Sequence, residues 1–256
     1  MNARLIAAAR EKLPAWLFLL ALLGLWQLVT ARAWVPDFLL PSPRQIVAAT
    51  LDNWPDIWSA LQQTAASIVW GLGASFAVGV TLAVLFFAIP LLRRAVLPFC
   101  IFFQTVPIIA IAPLLVIWFG FGSPTVKASA FIVSLFPILA NTLTGLQQTD
   151  PLLKELFRLY RPSPLLTICK LQIPAAIPYI LSGLRIAVGL SVIGAIVGEF
   201  IAGGGLGSLI DAARTQQRVD LVFSGVLMSS ALALLLIFAI DLLAALLLRG
   251  RPYLQQ

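Results

Sequence analysis

The chain has 256 residues, of which 61% are hydrophobic and only 11% are charged, and its formal net charge is +7. A soluble domain carries about 25% charged residues, and no hydrophilic stretch of this chain is long enough to fold alone. Composition therefore excludes a soluble globular protein, and with it a soluble basic face for binding nucleic acid. It predicts an all-α, polytopic membrane protein.

Six charge-poor segments predict about six transmembrane helices, because about 20 apolar residues cross the ~30 Å hydrocarbon core of a bilayer. In chain order the segments are Leu13–Ala31, Ile57–Leu92, Ala95–Val126, Ala128–Thr149, Tyr179–Ile201 and Leu221–Leu248. The first segment, followed by Arg32 and Ala33, also resembles a cleavable signal peptide. We expect it to be retained as a transmembrane helix.

The distribution of lysine and arginine predicts the side of the membrane that each connecting segment occupies. With a cytoplasmic N-terminus, eleven basic residues lie on the cytoplasmic side: Arg4, Arg10, Lys12, Arg93, Arg94, Lys154, Arg158, Arg161, Lys170, Arg249 and Arg251. Five lie outside: Arg32, Arg44, Lys127, Arg214 and Arg218. Both termini and the segment 150–174 are therefore predicted to be cytoplasmic.

The segment between the first two spans predicts one amphipathic helix at the outer membrane surface. Its apolar residues recur at helical spacing: Ile46, Val47, Leu51, Trp54, Ile57 and Trp58. The two tryptophans would anchor it at the interface between lipid and water.

Small residues in two spans predict close packing between helices, since they let helix backbones approach each other in lipid. In the second span a small residue stands at every fourth position: Ser67, Gly71, Ser75, Gly79 and Ala83. The fifth span is rich in glycine and alanine between Gly183 and Ala202.

Polar and proline residues in the third and fourth spans are candidates for a transport pathway. Pro107, preceded by Gln104 and Thr105, predicts a kink near the middle of the third span. Such a kink either lines a pathway or serves packing alone. In the fourth span, Asn141 makes either a hydrogen bond to another helix or a substrate contact.

Three charged residues lie inside predicted spans, where a charge is costly and usually pairs or faces a polar cavity. Arg185 and Asp241 lie at similar depth on the cytoplasmic side, so we expect them to pair, or Arg185 to line the inner vestibule. Glu199 lies near the outer end of the fifth span. It either acts in gating or the substrate path, or extends to the membrane interface.

Signals of catalysis are missing from the sequence. The chain has no histidine and only two isolated cysteines, Cys100 and Cys169, so no metal site is expected. It also lacks the glycine–lysine loop that binds nucleotide phosphates. The sequence therefore predicts neither an enzyme nor a cofactor on this chain.

The segment 150–174 predicts two short cytoplasmic helices joined at an elbow, suited to docking a partner. Asp150 as N-cap and Pro151 at the first helical position begin the first helix, and Pro162 ends it. The second helix is expected over Leu165–Leu171. The alternative is a solvated loop with anchoring charges.

This segment resembles the signature of the permease subunits of binding-protein-dependent ABC importers. That signature is Glu-Ala-Ala, three residues, Gly, nine residues and Ile-x-Leu-Pro. The matching residues here are Glu155-Leu156-Phe157, Arg161 and Leu171-Gln172-Ile173-Pro174. Other stretches that resemble the family are LPSPRQIV, PLLVIWFGFGS, AAIPYILSGLRIAVG and GEFIAGGGLGSLI.

The resemblance implies a type I importer-like fold in a bacterial inner membrane, with residues 1–256 forming one permease domain. Residues 1–59 would hold the first span and the outer segment, 60–250 the core, and 150–174 the coupling segment. The residues expected to couple to the ATPase are Glu155, Leu156, Phe157, Arg158, Arg161, Ser163 and Pro174. The candidates for pathway or gating are Gln104, Thr105, Pro107, Asn141, Arg185, Glu199 and Asp241.

The resemblance also implies partners and a mechanism. The expected partners are a second permease copy (a homodimer), two ATPase subunits that hold ATP–Mg, and an extracytoplasmic substrate-binding protein. The assembly would transport its substrate by alternating access. The substrate would be a small organic or inorganic anion or a vitamin precursor. The alternative is a self-contained secondary transporter or channel, but that class uses midplane acids and internal repeats, and neither is evident.

One departure from the signature predicts a difference in the elbow. The family has glycine where this chain has Arg161, and glycine permits a left-handed turn. An arginine followed by proline is pushed toward extended structure instead. We therefore expect the elbow to be built differently.

Overall fold

A computed structural model of the chain describes residues 2–248, with the side chains of residues 2–12, 15 and 16 excepted. The basic residues Arg249 and Arg251 lie outside the described residues, as do the side chains of Arg4, Arg10 and Lys12. All regular elements in the described range are helical.

Eleven α-helices follow one another along the described chain. They are α1 (Asn2–Ala31), α2 (Pro43–Asp52), α3 (Trp54–Ala88), α4 (Pro90–Thr105), α5 (Ile108–Phe119), α6 (Ser123–Gln147), α7 (Pro151–Leu159), α8 (Pro164–Thr167), α9 (Ile173–Ala202), α10 (Gly205–Thr215) and α11 (Val219–Leu248). One π-helical turn, Ile168–Gln172, joins α8 to α9, so that helix runs without interruption over Pro164–Ala202.

Four helices are individually long and apolar enough to cross a membrane: α3, α6, Pro164–Ala202 and α11. A fifth span is formed if α4 and α5, which are bent by 104° at their junction, are counted together. The first predicted span lies in α1, whose described apolar stretch is Leu17–Ala31. The prediction of an all-α, polytopic membrane protein is confirmed.

The described chain divides into two compact units, one of residues 2–58 and 209–227 and the other of residues 59–208 and 228–248. In the second unit, the buried core lies between α3, α6, α9 and the later part of α11. Its members are apolar side chains, among them Ile68, Phe86, Val126, Ile138, Leu139, Leu146, Val188 and Leu232.

Glycines of α9 bring its backbone against α6. A Cβ built on Gly183 would lie 2.8 Å from the Cβ of Asn141 and 2.9 Å from the carbonyl oxygen of Pro137. A Cβ on Gly194 would lie 2.8 Å from the carbonyl oxygen of Ser129. The later glycine of α9, Gly194, contacts an earlier part of α6 than Gly183 does, so the two helices run antiparallel. The predicted tight packing of the fifth span is confirmed.

The small residues of α3 face α6. All five members of the predicted stripe are buried. A Cβ on Gly71 would lie 2.8 Å from the carbonyl oxygen of Lys127, and one on Gly79 would meet Ile138. Between them the hydroxyls of Ser75 and Ser134 are 2.7 Å apart. Successive residues of α3 contact successively later residues of α6, so the two helices run parallel. The predicted close packing of the small residues is confirmed.

In the first unit, α2 is shorter than the sequence predicts. Ser42 caps it in a capping box with Gln45, each side chain bonding the other's backbone N–H. The helix ends at Asn53, whose amide donates to the carbonyl oxygen of Ala49. The prediction of one amphipathic helix through Trp58 is therefore wrong, because Pro55 has no N–H to continue α2, and α3 begins instead.

Replacing Gly183 tests the contact between α6 and α9. We expect Gly183→Ala to lower the free energy of unfolding by about 1–3 kcal/mol, because the added methyl overlaps rigid atoms of α6. Gly189→Ala in the same helix is the control, since a Cβ there meets nothing within 4 Å. Thermal unfolding in detergent measures both variants, and equal losses would contradict the close approach.

Candidate functional site

The segment 150–174 begins as the sequence predicts. Pro151 opens α7, and the carboxylate of Asp150 accepts the backbone N–H of Leu152 at 2.8 Å. This bond satisfies one of the free donors at the helix start. The predicted N-cap is confirmed.

The apolar face of α7 is exposed. None of its nine residues is buried. The exposed fractions are 73% for Leu152, 53% for Leu156 and 78% for Leu159. These leucines recur at helical spacing, so they form one apolar stripe, whereas Lys154, Glu155 and Arg158 supply the charge. An exposed apolar face of this kind is a candidate for contact with another protein.

At the end of α7, Arg161 adopts a left-handed backbone conformation with φ of 46°. Its N–H donates to the carbonyl oxygen of Arg158 at 3.0 Å, in the turn that ends the helix. The prediction that Arg161 is extended is therefore wrong. The chain must reverse after the last helical residue, and a left-handed residue at that place is the common solution, for which glycine is preferred. Arg161 adopts it at a cost of about 1–2 kcal/mol.

The second short helix is not separate, which corrects another prediction. Ser163 caps α8 by accepting the N–H of Leu166 at 3.3 Å. The helix then widens through the π turn Ile168–Gln172 and continues as α9. Pro174 lacks an N–H, and its ring would clash with the carbonyl four residues earlier in a regular α-helix. The wider π turn accommodates that proline without ending the helix.

Glu199 is buried, with 2% of its surface exposed. One carboxylate oxygen accepts the hydroxyl of Thr64 at 2.7 Å, and the other accepts the backbone N–H of Gly207 at 2.8 Å. The Thr64 hydroxyl in turn accepts the N–H of Leu206 at 2.9 Å. Thr64 and Glu199 thus satisfy two of the first-turn donors of α10, and Gln63 accepts the third, the N–H of Gly205 at 3.3 Å. The alternative that Glu199 extends to the membrane interface is therefore wrong.

The glycines after Glu199 make this arrangement possible. Gly203, Gly204 and Gly205 all have positive φ, between 61° and 88°. A Cβ on Gly205 would overlap the carboxylate of Glu199 and the hydroxyl of Thr64. The turn therefore folds the start of α10 directly onto the Glu199 side chain. A cavity of about 200 Å³ adjoins it, lined in part by Gln63, Ser67 and Ser123.

Arg185 and Asp241 form the predicted ion pair, with a nitrogen-to-oxygen distance of 3.2 Å. Their side chains are 59% and 43% exposed. This contact joins α9 to the later part of α11. Within residues 2–248 it is the one polar contact between any two of the seven candidates for pathway or gating.

The kink near Pro107 is a complete break. Val106 and Pro107 are both extended and separate α4 from α5, because a residue before proline disfavours helical geometry. Gln104 and Thr105 lie exposed at the end of α4, and the Thr105 hydroxyl donates to the carbonyl oxygen of Phe102. A role of these residues in a pathway remains a prediction.

Within the described residues, the Asn141 side chain forms no hydrogen bond to another helix. Its amide donates to the carbonyl oxygen of Pro137 in its own helix at 2.9 Å. The predicted hydrogen bond to another helix is therefore wrong. Gly183 approaches too closely for the amide to reach across. Its role in a pathway stays untested.

Removing the Thr64 hydroxyl tests the support of Glu199. We expect Thr64→Val to lower the free energy of unfolding by about 1–3 kcal/mol, because the carboxylate and the Leu206 N–H each lose a buried partner. Thr81→Val is the matched control in the same helix, since the exposed Thr81 hydroxyl bonds only the carbonyl oxygen of Ala77. Thermal unfolding in detergent measures the stability of both variants. Equal losses in the two would contradict a stabilising role for the hydrogen bonds of Thr64.

Exchanging the charges of Arg185 and Asp241 tests the ion pair. We expect Asp241→Arg to lower the unfolding temperature, because it places two guanidinium groups together within a span. The double variant Arg185→Asp with Asp241→Arg is expected to recover most of the loss. Unfolding temperatures of both single variants and the double variant measure this, and additive losses would show that the groups do not interact.

Comparison with known proteins identifies the family of the chain. The profile of the family described as "binding-protein-dependent transport system inner membrane component" matches residues 75–251. The formylaminopyrimidine transport permease protein ThiX of Halalkalibacterium halodurans is 37% identical, over 94% of this chain and 97% of that protein.

Two further relatives are similar over most of their length. A probable ABC transporter permease protein of Haemophilus influenzae is 35% identical, over 86% of this chain and 90% of that protein. A putative aliphatic sulfonates transport permease protein of Escherichia coli, SsuC, is 31% identical, over 94% of this chain and 93% of that protein. The chain belongs to the family of inner-membrane permease components of binding-protein-dependent ABC importers.

Proposed function

We propose that this permease is driven by separate ATPase subunits that contact residues 150–174, and that α7 is the principal contact. The observation that carries the proposal is the exposed apolar face of α7. An amphipathic helix with such a face commonly binds by laying it into a groove of a partner. Glu155, Arg158 and Arg161 would contribute charged contacts beside the leucines, and Phe157 and Ser163 would border them.

The continuous helix from α8 to α9 supports a mechanical role for this segment. Pro164–Ala202 is unbroken, and its first residues follow α7 directly. A displacement of α7 and α8 by an ATPase would therefore be carried along α9, because a packed helix moves largely as a rigid element. Glu199 lies near the far end of that helix. Alternating access would follow if the displacement opened the pathway on the opposite side of the membrane.

The proposed assembly contains a second copy of this chain, two ATPase subunits holding ATP–Mg, and an extracytoplasmic substrate-binding protein. The dependence of the family on a binding protein supports it. Both termini would be cytoplasmic, which agrees with the bias of basic residues. The directions of the helices agree as well, since α3 and α6 run parallel and α9 runs antiparallel to α6.

We propose a small organic or inorganic anion or a vitamin precursor as the substrate. The relatives named for formylaminopyrimidine and for aliphatic sulfonates support these classes. Pathway or gating roles would fall to the break at Pro107 with Gln104 and Thr105, to Asn141, to the Arg185–Asp241 pair and to Glu199.

Leu156→Asp tests the coupling proposal. A carboxylate at the centre of the apolar stripe would prevent the stripe from being buried in an ATPase groove, because burying an unpaired charge is costly. We expect the variant to reach the membrane at normal levels but to copurify with at most about a tenth of the ATPase, because burying Leu156 contributes about 1.5–3 kcal/mol. Uptake of formylaminopyrimidine and of an alkanesulfonate, measured in cells that coexpress the ATPase and the binding protein, should fall in parallel.

Leu91→Asp is the control, since Leu91 is 78% exposed, lies outside the segment 150–174 and stands two residues before the predicted cytoplasmic Arg93. It should retain both ATPase and uptake. Normal ATPase recovery with Leu156→Asp would overturn the proposed contact. If the wild type coupled normally but transported neither compound, the coupling proposal would stand and these two substrates would be excluded.

A further inference from the structure

A second cavity, of about 520 Å³, lies beside the segment 150–174. Its lining combines three cationic side chains, Lys154, Arg158 and Arg161, with apolar ones that include Phe87, Ala88 and Phe157. The volume falls in the range of about 300–1,000 Å³ that is usual for small-molecule sites. The cavity therefore has both the size and the mixed chemistry of a ligand site.

The positive charge of this cavity is uncompensated. No acidic side chain contributes to the lining, and none of its three cations forms an ion pair within residues 2–248. The ammonium of Lys154 is oriented by the carbonyl oxygen of Gln147, at 3.3 Å. Three like charges around one concave space raise its positive potential and favour an anion there.

Arg161 reaches the cavity from a strained backbone position. Its φ of 46° is unfavourable for a residue with a Cβ. Proline on either side of Ser163 (Pro162 and Pro164, both in the lining) restricts how the turn can relax. Strained residues concentrate at functional sites. The turn accounts for the left-handed backbone, and arginine at this position, where glycine would serve the turn, adds a guanidinium to the cavity lining.

The apolar wall of the cavity includes the end of a helix that is long enough to cross the membrane. Phe87 and Ala88 are the last two residues of α3, a helix long and apolar enough to cross the membrane. The end of such a helix lies at the depth of the lipid headgroups or beyond it. A basic cavity with one apolar side at this depth has the composition of a site for an anionic lipid.

We propose that this cavity binds the headgroup of an anionic phospholipid. The phosphate would contact Arg158 and Arg161, Lys154 would add charge, and the first part of an acyl chain would lie against Phe87 and Phe157. Inorganic phosphate carries the same negative charge as the lipid headgroup, but it has no acyl chain to contact the apolar wall of the cavity. Arg158 and Arg161 are also proposed to contact the ATPase, so the lipid proposal concerns the chain without its ATPase, and the test uses the chain in that state.

Lipid binding to the full chain tests the proposal. Native mass spectrometry counts bound lipid, and thermal unfolding is followed in phosphatidylcholine with and without phosphatidylglycerol. We expect the double variant Arg158→Gln with Arg161→Gly to weaken phosphatidylglycerol binding about thirty-fold, since each cation beside an anionic headgroup strengthens binding about fivefold. Glycine at position 161 keeps the left-handed backbone, so the local fold is retained.

The matched control removes two cations that lie outside the cavity, with Arg94→Gln and Lys170→Gln. Arg158→Lys, which keeps the charge, should retain most of the binding. Loss in the cavity variant alone, with no effect of inorganic phosphate, would support the lipid site. Equal loss in the control would overturn it, as would stabilisation by inorganic phosphate equal to that by phosphatidylglycerol.

Discussion

The close approach of α9 to α6 is the contact on which the second unit depends. Gly183 and Gly194 allow the two backbones to touch, and in lipid such contact replaces the hydrophobic driving force that is absent there. Because α9 is continuous with α8, the same helix carries the coupling segment at one end and Glu199 at the other. A single rigid element therefore connects the two places where function is proposed.

Glu199 shows how the fold accommodates a charge in a span. A carboxyl group within a membrane protein is costly unless its oxygens are hydrogen-bonded. Here both oxygens have donors, and the aligned peptide dipoles at the start of α10 favour a negative group at that position. The same bonds hold the glycine turn closed. The residue that is most expensive to bury thus stabilises the turn that follows its own helix.

Patterns with a local physical cause were predictable from the sequence. The spans follow from hydrophobicity, the cap at Asp150 from its side chain and Pro151, and an interruption of the helix near Pro107 from the proline itself. The Arg185–Asp241 pair was predictable because both charges lie at similar depth. The partners of Glu199 were not predictable, since Thr64 lies 135 positions away and nothing near it in the sequence marks it as a partner.

Local rules failed where neighbouring elements compete. The sequence predicts that the second short helix ends at Leu171, yet the π turn continues it past Pro174 into α9. Arg161 followed by proline predicts an extended residue, yet the reversal after α7 requires a left-handed one. The sequence alone determined a polytopic, helical permease component with a candidate coupling segment, because hydrophobicity and motif spacing are properties of the chain. Only the tertiary structure decided which polar groups meet, because hydrogen bonds and cavities form between residues that are distant in the chain.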